Sequence, residues 1–200
     1  MSDQTVLILH GWGGNKPEHW QEWLYKELSD AGVDVRYPKM PNPQAPHLAS
    51  WLIALDPVIK QLPEASKVTI LCHSLGAITW MHYSTAAEKQ VADRVLLVAP
   101  PYVSPLVPPA DTPPGIASFF PPQLDASCIK QAARETTIIC GEGDCYGTED
   151  QTKAYADRLD IPMYTLKEAG HVSPYWGYGA WPWVRDWALG KCGFPPQING

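Results

Sequence analysis

The stretch "ILCHSLGA", Ile70 to Ala77, joins an apolar, β-branched run to a helical pattern with only a short turn between them. It reads as the Gly-x-Ser-x-Gly turn that displays a serine hydroxyl at the end of a sheet strand. Cys72 stands where the first glycine is expected, and Gly76 occupies the second position. The turn leaves little room two residues before and two residues after the serine. Cys72 is larger than glycine but still small, and Ala77 lets the following helix lie close to the sheet. A serine at a strand-to-helix junction can equally be an ordinary helix cap. Whether Ser74 is a nucleophile therefore depends on the partners the rest of the chain supplies.

Outward from this turn, short β-branched runs at 6–10, 33–37, 67–72, 94–99, 136–141 and 163–166 alternate with amphipathic patterns. The helical patterns cover 17–30, 47–62, 75–88, 149–159 and 181–189. "VLIL", "VLLVA" and "TIIC" are apolar without alternation, as expected of parallel strands covered on both faces. The reading is a compact single-domain α/β fold over residues 1–200. About six mostly parallel strands form the middle of a three-layer sandwich, and no large lid domain is present. Residues 101–131 break the rhythm: nine of the 21 prolines fall between Pro100 and Asp125. Their aromatics argue for a packed cap or rim loop leaving the fourth strand.

Two hundred residues with 45% hydrophobic content suffice for one sizeable core. The net charge of -6 and the lack of basic runs exclude nucleic acid as an expected partner. The first apolar run is too short for a signal peptide or membrane span. Five cysteines without a CxxC pair write neither a disulfide framework nor a zinc site, so a reducing, cytoplasmic setting is expected. Nine tryptophans favour a well-packed body with aromatic-lined cavities.

If Ser74 is a nucleophile on a parallel sheet, the chain order must be a glycine-rich loop, then serine, acid and histidine, each after a strand. "HGWGG" follows the first strand, and its glycines let backbone N–H groups face a ligand. The backbone amides of Trp12 and Leu75 are the expected oxyanion donors. A phosphate cradle is the weaker reading, because neither GxGxxG nor GxxxxGK[ST] occurs. After the run at 136–141, Thr148 to Gln151 reads as a capping box that occupies Glu149 and Asp150. Asp144 has no local role and is preferred to Glu142 as the acid. His171 follows the last strand run and is the expected base. His10 is its rival, but it opens the glycine loop. His73 is read as part of the turn, and His19, His47 and His82 as outside the site.

Beyond these residues, the chain resembles the small serine hydrolases of the retinoblastoma-binding-protein-nine type, in the α/β-hydrolase superfamily. The resemblance runs from "LILHGWGGNKPEHWQEWLYKEL" through "LCHSLGA" and "GDCYGTEDQTKAYADRL" to "AGHVSPYWGYGAWPWV". Its most specific parts are "EHW" and "GYGAWP". Position by position it implies Ser74, Asp144 and His171 as nucleophile, acid and base. Two departures stand out: Cys72 replaces the elbow glycine, and Cys145-Tyr146 replaces Pro-Tyr after the acid. Ile138 to Glu142 approximates an LxCxE motif but is read as a buried core strand.

The expected activity is hydrolysis of a carboxylic ester through an acyl-enzyme, with amide, peptide and thioester bonds open to the same triad. No metal or organic cofactor is needed. The expected partner is a small acyl substrate; a protein partner is not indicated. Trp12, Phe119, Phe120, Trp176 and Tyr178 are the aromatic candidates for contact with an apolar or aromatic substrate group. The alternative is a non-catalytic interaction protein on the same scaffold.

Overall fold

The computed structural model describes residues 4–196. Six parallel strands form one sheet in the order β2-β1-β3-β4-β5-β6. They are β1 Thr5–Leu9, β2 Asp34–Arg36, β3 Val68–His73, β4 Ala92–Val98, β5 Ala133–Gly141 and β6 Met163–Leu166. Parallel neighbours need long crossovers, and helices supply them. The helices are α1 Trp20–Asp30, α2 Leu48–Lys60, α3 Leu75–Ser84, α4 Pro114–Ala117, α5 Ala126–Ala132, α6 Glu149–Leu159 and α7 Pro182–Ala188.

Alternation along the strands divides the core into two halves. Leu9, Cys72, Leu97 and Ile138 stand in register across four strands and pack under α2, α3, α5 and α6. Ile8, Leu71 and Leu96 face the other way, against α1 and α7. Both faces are therefore apolar, which is why these strands read as unbroken hydrophobic runs. Helix α3 is buried on nearly every side, including Trp80 and Met81, as a central helix between neighbours must be. Helix α1 instead buries one stripe, Trp20, Leu24 and Leu28. The capping box at Thr148 and Gln151 opens α6 as read from the sequence.

The proline-rich segment differs from its reading as one loop. Its last part is α5, a crossover helix packed against α3, α6 and β5 and capped by the Asp125 carboxylate, which accepts from the Ser127 and Cys128 amides. The part before it is fastened to the start of α2. The Ser118 hydroxyl accepts from the Leu48 amide at 2.9 Å and donates to the Gly115 carbonyl at 2.6 Å. No helix among the described residues is long and apolar enough to cross a membrane.

Candidate active site

The C-terminal edge of the sheet gathers the loops after β1, β3, β5 and β6. Ser74 follows β3 directly and has φ 55° and ψ −124°, a region that a non-glycine residue enters only under constraint. The constraints are visible. The Ser74 amide donates to the Val98 carbonyl at 2.9 Å, and the Ser74 carbonyl accepts from Ala77 and Ile78. Gly76 lets α3 sit on the end of β1, where an added Cβ would stand 2.5 Å from the Leu9 carbonyl oxygen. Cys72 is wholly buried in the core under α3. That burial pushes its thiol well above the usual range, so it is a packing residue.

His171 lies in the loop after β6, and its Nε2 is 3.0 Å from the Ser74 hydroxyl. Its Nδ1 is 2.8 Å from Oδ2 of Asp144, in the loop after β5. The Asp144 side chain is 1% exposed, and its Oδ1 accepts from the Tyr146 amide at 2.8 Å. A buried carboxylate needs such partners. It also fixes the imidazole: Nδ1 donates to Asp144, leaving Nε2 to face the serine. Glu142 is exposed, and its carboxylate accepts from the Glu168 amide, away from His171.

His10 fastens the glycine loop. Its Nδ1–H donates to the Gly11 carbonyl at 2.8 Å, while its Nε2 accepts from the Met40 amide at 2.9 Å. The loop is also tied by Gly13 N–H to the Pro43 carbonyl and by the Trp12 indole to the Gln44 carbonyl. The backbone amides of Trp12, in the loop whose Gly11 abuts Ser74, and of Leu75, the residue after Ser74, donate no hydrogen bond among the described residues.

A cavity of about 820 Å³ opens over Ser74 and His171. Trp12 and Trp176 line it, as read from the sequence, and are 46% and 40% exposed. Phe119 and Phe120 do not line it, which corrects their reading as substrate contacts. Phe119 is fully buried edge-on against Trp51 at 5.5 Å, and Phe120 packs on the same core. The Ser118 anchor turns both rings inward. Tyr178 is likewise buried, edge-on to Trp181.

His19 is a residue the sequence reading left out. It lines the cavity and caps α1, its Nδ1 accepting from the Gln21 amide at 3.3 Å. Its ring lies 4.6 Å from that of His73, which lies 4.9 Å from that of His171. Burial first, then the neighbouring His171, Lys16 and His10, lowers His19 to about 3. Burial holds His73 well below the imidazole range and also lowers His10. His10, His19 and His73 are therefore neutral at pH 7. Tyr146 was missed too; its ring lies 4.6 Å from His171. Position could have signalled both residues, since each sits within two residues of a site loop or helix start at the carboxyl edge. Among the described residues, no group of three or more His, Cys, Asp or Glu side chains is placed to hold a metal ion.

A family model described as serine hydrolase matches residues 6–188. The chain belongs to the serine hydrolase family. This serine hydrolase is 27% identical to YdeN of Bacillus subtilis (strain 168) over 185 residues, covering 92% of this chain and 93% of that one. The crystal structure of the ydeN gene product matches it with a TM-score of 0.80 at 25% identity, over 94% of this chain and 98% of that chain. Est1E from Butyrivibrio proteoclasticus with ferulic acid bound shares the fold, with a TM-score of 0.62 at 14% identity over 94% and 89% of the two chains. The protein is a small serine hydrolase of the α/β-hydrolase superfamily.

Proposed function

We propose that this serine hydrolase cleaves a carboxylic ester through an acyl-enzyme on Ser74. The observation that carries the reading is the chain of hydrogen bonds from the Ser74 hydroxyl through His171 to the buried Asp144. His171 Nε2 takes the hydroxyl proton as Ser74 Oγ attacks the carbonyl carbon. The oxyanion is stabilised by the Trp12 and Leu75 amides, a donor pair of which each member is worth roughly 10²–10³ in rate. Collapse expels the alcohol, which receives the proton from His171. A water molecule, deprotonated by the same nitrogen, then releases the acid. Asp144 holds the tautomer and stabilises the imidazolium.

The two exposed indoles in the cavity wall favour an apolar or aromatic group beside the scissile carbonyl. Amides and thioesters use the same chemistry and are the competing bond classes. The five cysteines are unpaired, in keeping with a reducing, cytoplasmic setting. The test is labelling by a fluorophosphonate probe, with turnover of p-nitrophenyl esters in parallel. Ser74→Ala is expected to lose both while remaining folded. Undiminished labelling of that variant refutes the assignment.

A further inference from the structure

The loop that carries His171 is strained well beyond what its sequence favours. Glu168, Gly170 and Val172 have φ of 51°, 47° and 45°. Val172 is β-branched and fully buried, so its backbone is a clear outlier for its residue type. Such a conformation persists only where surrounding groups over-determine it.

Two ring N–H groups from other elements meet this loop. The His73 Nε2–H donates to the His171 carbonyl at 2.9 Å. The Trp20 indole N–H donates to the Val172 carbonyl at 3.0 Å. These acceptors belong to the base and to the residue after it. The donors also touch each other, since the Trp20 ring stands edge-on to His73 at 6.0 Å. His19 packs against both, its ring 4.6 Å from His73 and 5.5 Å from Trp20. The Trp20 amide donates to the Tyr178 carbonyl, and the Trp20 ring stands edge-on to Trp181. The "EHW" and "GYGAWP" segments thus meet around the base loop.

We propose that His73 and Trp20 are positioning residues for His171, their ring N–H groups clamping successive carbonyls and so holding the base on the Ser74 hydroxyl. This rests on the proposed role of His171. Because His73 immediately precedes Ser74, the clamp also ties the nucleophile's turn to the base's loop. Displacement of either would alter the 3.0 Å contact between them, and misplacement of this kind by 1 Å can cost on the order of 10²-fold in rate.

The experiment compares parent, Ser74→Ala, His73→Leu, His73→Gln and Trp20→Phe by ester kinetics and fluorophosphonate labelling, with circular dichroism to confirm folding. Leucine removes the donor at 73, whereas the glutamine amide reaches about where imidazole Nε2–H does. Loss of the donor is expected to lower kcat roughly 10–100-fold with KM unchanged, and glutamine is expected to recover most of the loss. Trp20→Phe is expected to behave like His73→Leu, and it carries the test if the leucine variant does not fold. The clamp is overturned if His73→Leu or Trp20→Phe labels at the parent rate while Ser74→Ala stays unlabelled. It is equally overturned if folded His73→Gln is as slow as His73→Leu, or if KM rises with kcat preserved. Labelling of Ser74→Ala at the parent rate instead removes the triad reading, and the clamp with it.

Discussion

Replacing Gly11 by alanine tests how closely the glycine loop and the elbow are fitted. A Cβ on Gly11 would stand 2.6 Å from Ser74 Cβ, 3.2 Å from Ser74 Oγ and 3.2 Å from the His73 carbonyl oxygen. Ordinary contact begins at 3.4 Å, so the first distance is short by 0.8 Å. Neither side gives easily. Ser74 is held by the Val98 carbonyl, and the loop by His10. Gly11 does not have left-handed φ, so alanine tests the contact rather than the backbone. Forcing the two apart by roughly 1 Å should move the Trp12 amide or the hydroxyl and lower kcat about 10²-fold. That corresponds to about 2.7 kcal/mol in the barrier, and overpacking should remove about 1–3 kcal/mol of stability as well. The assay is p-nitrophenyl ester turnover beside urea unfolding. Gly32→Ala is the control: Gly32 has φ 74° with nothing within 4 Å of its added Cβ. It should lose about 1–2 kcal/mol to backbone strain and no activity. Turnover of Gly11→Ala at the parent rate would show that the loop and elbow are not in the close fit described.

Three further outcomes are expected. Asp144→Asn should lower kcat by up to about 10⁴-fold with little change in KM, by favouring the wrong His171 tautomer; a mild effect there and a severe one in Glu142→Gln would reverse the choice of acid. His10, His19 and His73 are held below their ordinary value when folded, so the unfolded chain binds more protons in acid. Their stabilisation should be intact above about pH 6.5 and lost as pH falls toward the folded values, by up to about 1.4 kcal/mol per pH unit for each histidine. Urea unfolding between pH 7 and pH 4.5 measures this slope, and His19→Asn, which keeps a capping acceptor, should flatten it. Phe119→Ala should cost about 3–5 kcal/mol of stability and leave KM alone, whereas Trp176→Ala should raise KM for aromatic esters at little cost in stability; the opposite pattern would restore Phe119 to the site.

The fold was legible because both faces of the sheet are covered. Unbroken runs such as Leu7 to Leu9 and Val95 to Val98 have no other economical explanation. The turn at Ser74 was legible because Gly76 and Ala77 are small where α3 meets the sheet. Helix α5 was not, because its short pattern adjoins a proline-rich stretch whose composition dominates any window. Phe119 and Phe120 were misplaced for a related reason. An aromatic in a loop can face the cavity or the core, and here the Ser118 anchor decides. The place of His19 at a helix start near the carboxyl edge was a usable signal, but its contact with His73 was not legible, because the two residues lie 54 positions apart and only the packing of α1 brings them together.

The sheet's outer strands have a consequence for how the molecule behaves among its copies. β2 is three residues long and β6 four, so each offers few free ladder groups to an incoming chain. Asp34 and Arg36 place opposite charges on β2, and Asp34 is also engaged by the Thr5 hydroxyl. On the other side, the Phe194 ring stacks on Tyr164 of β6 at 4.6 Å. Short, charged or covered margins resist edge-to-edge addition of strands. A chain this rich in apolar β-branched segments is thereby protected from templated aggregation while it stays folded, and the hazard is confined to moments when β3 or β4 is exposed.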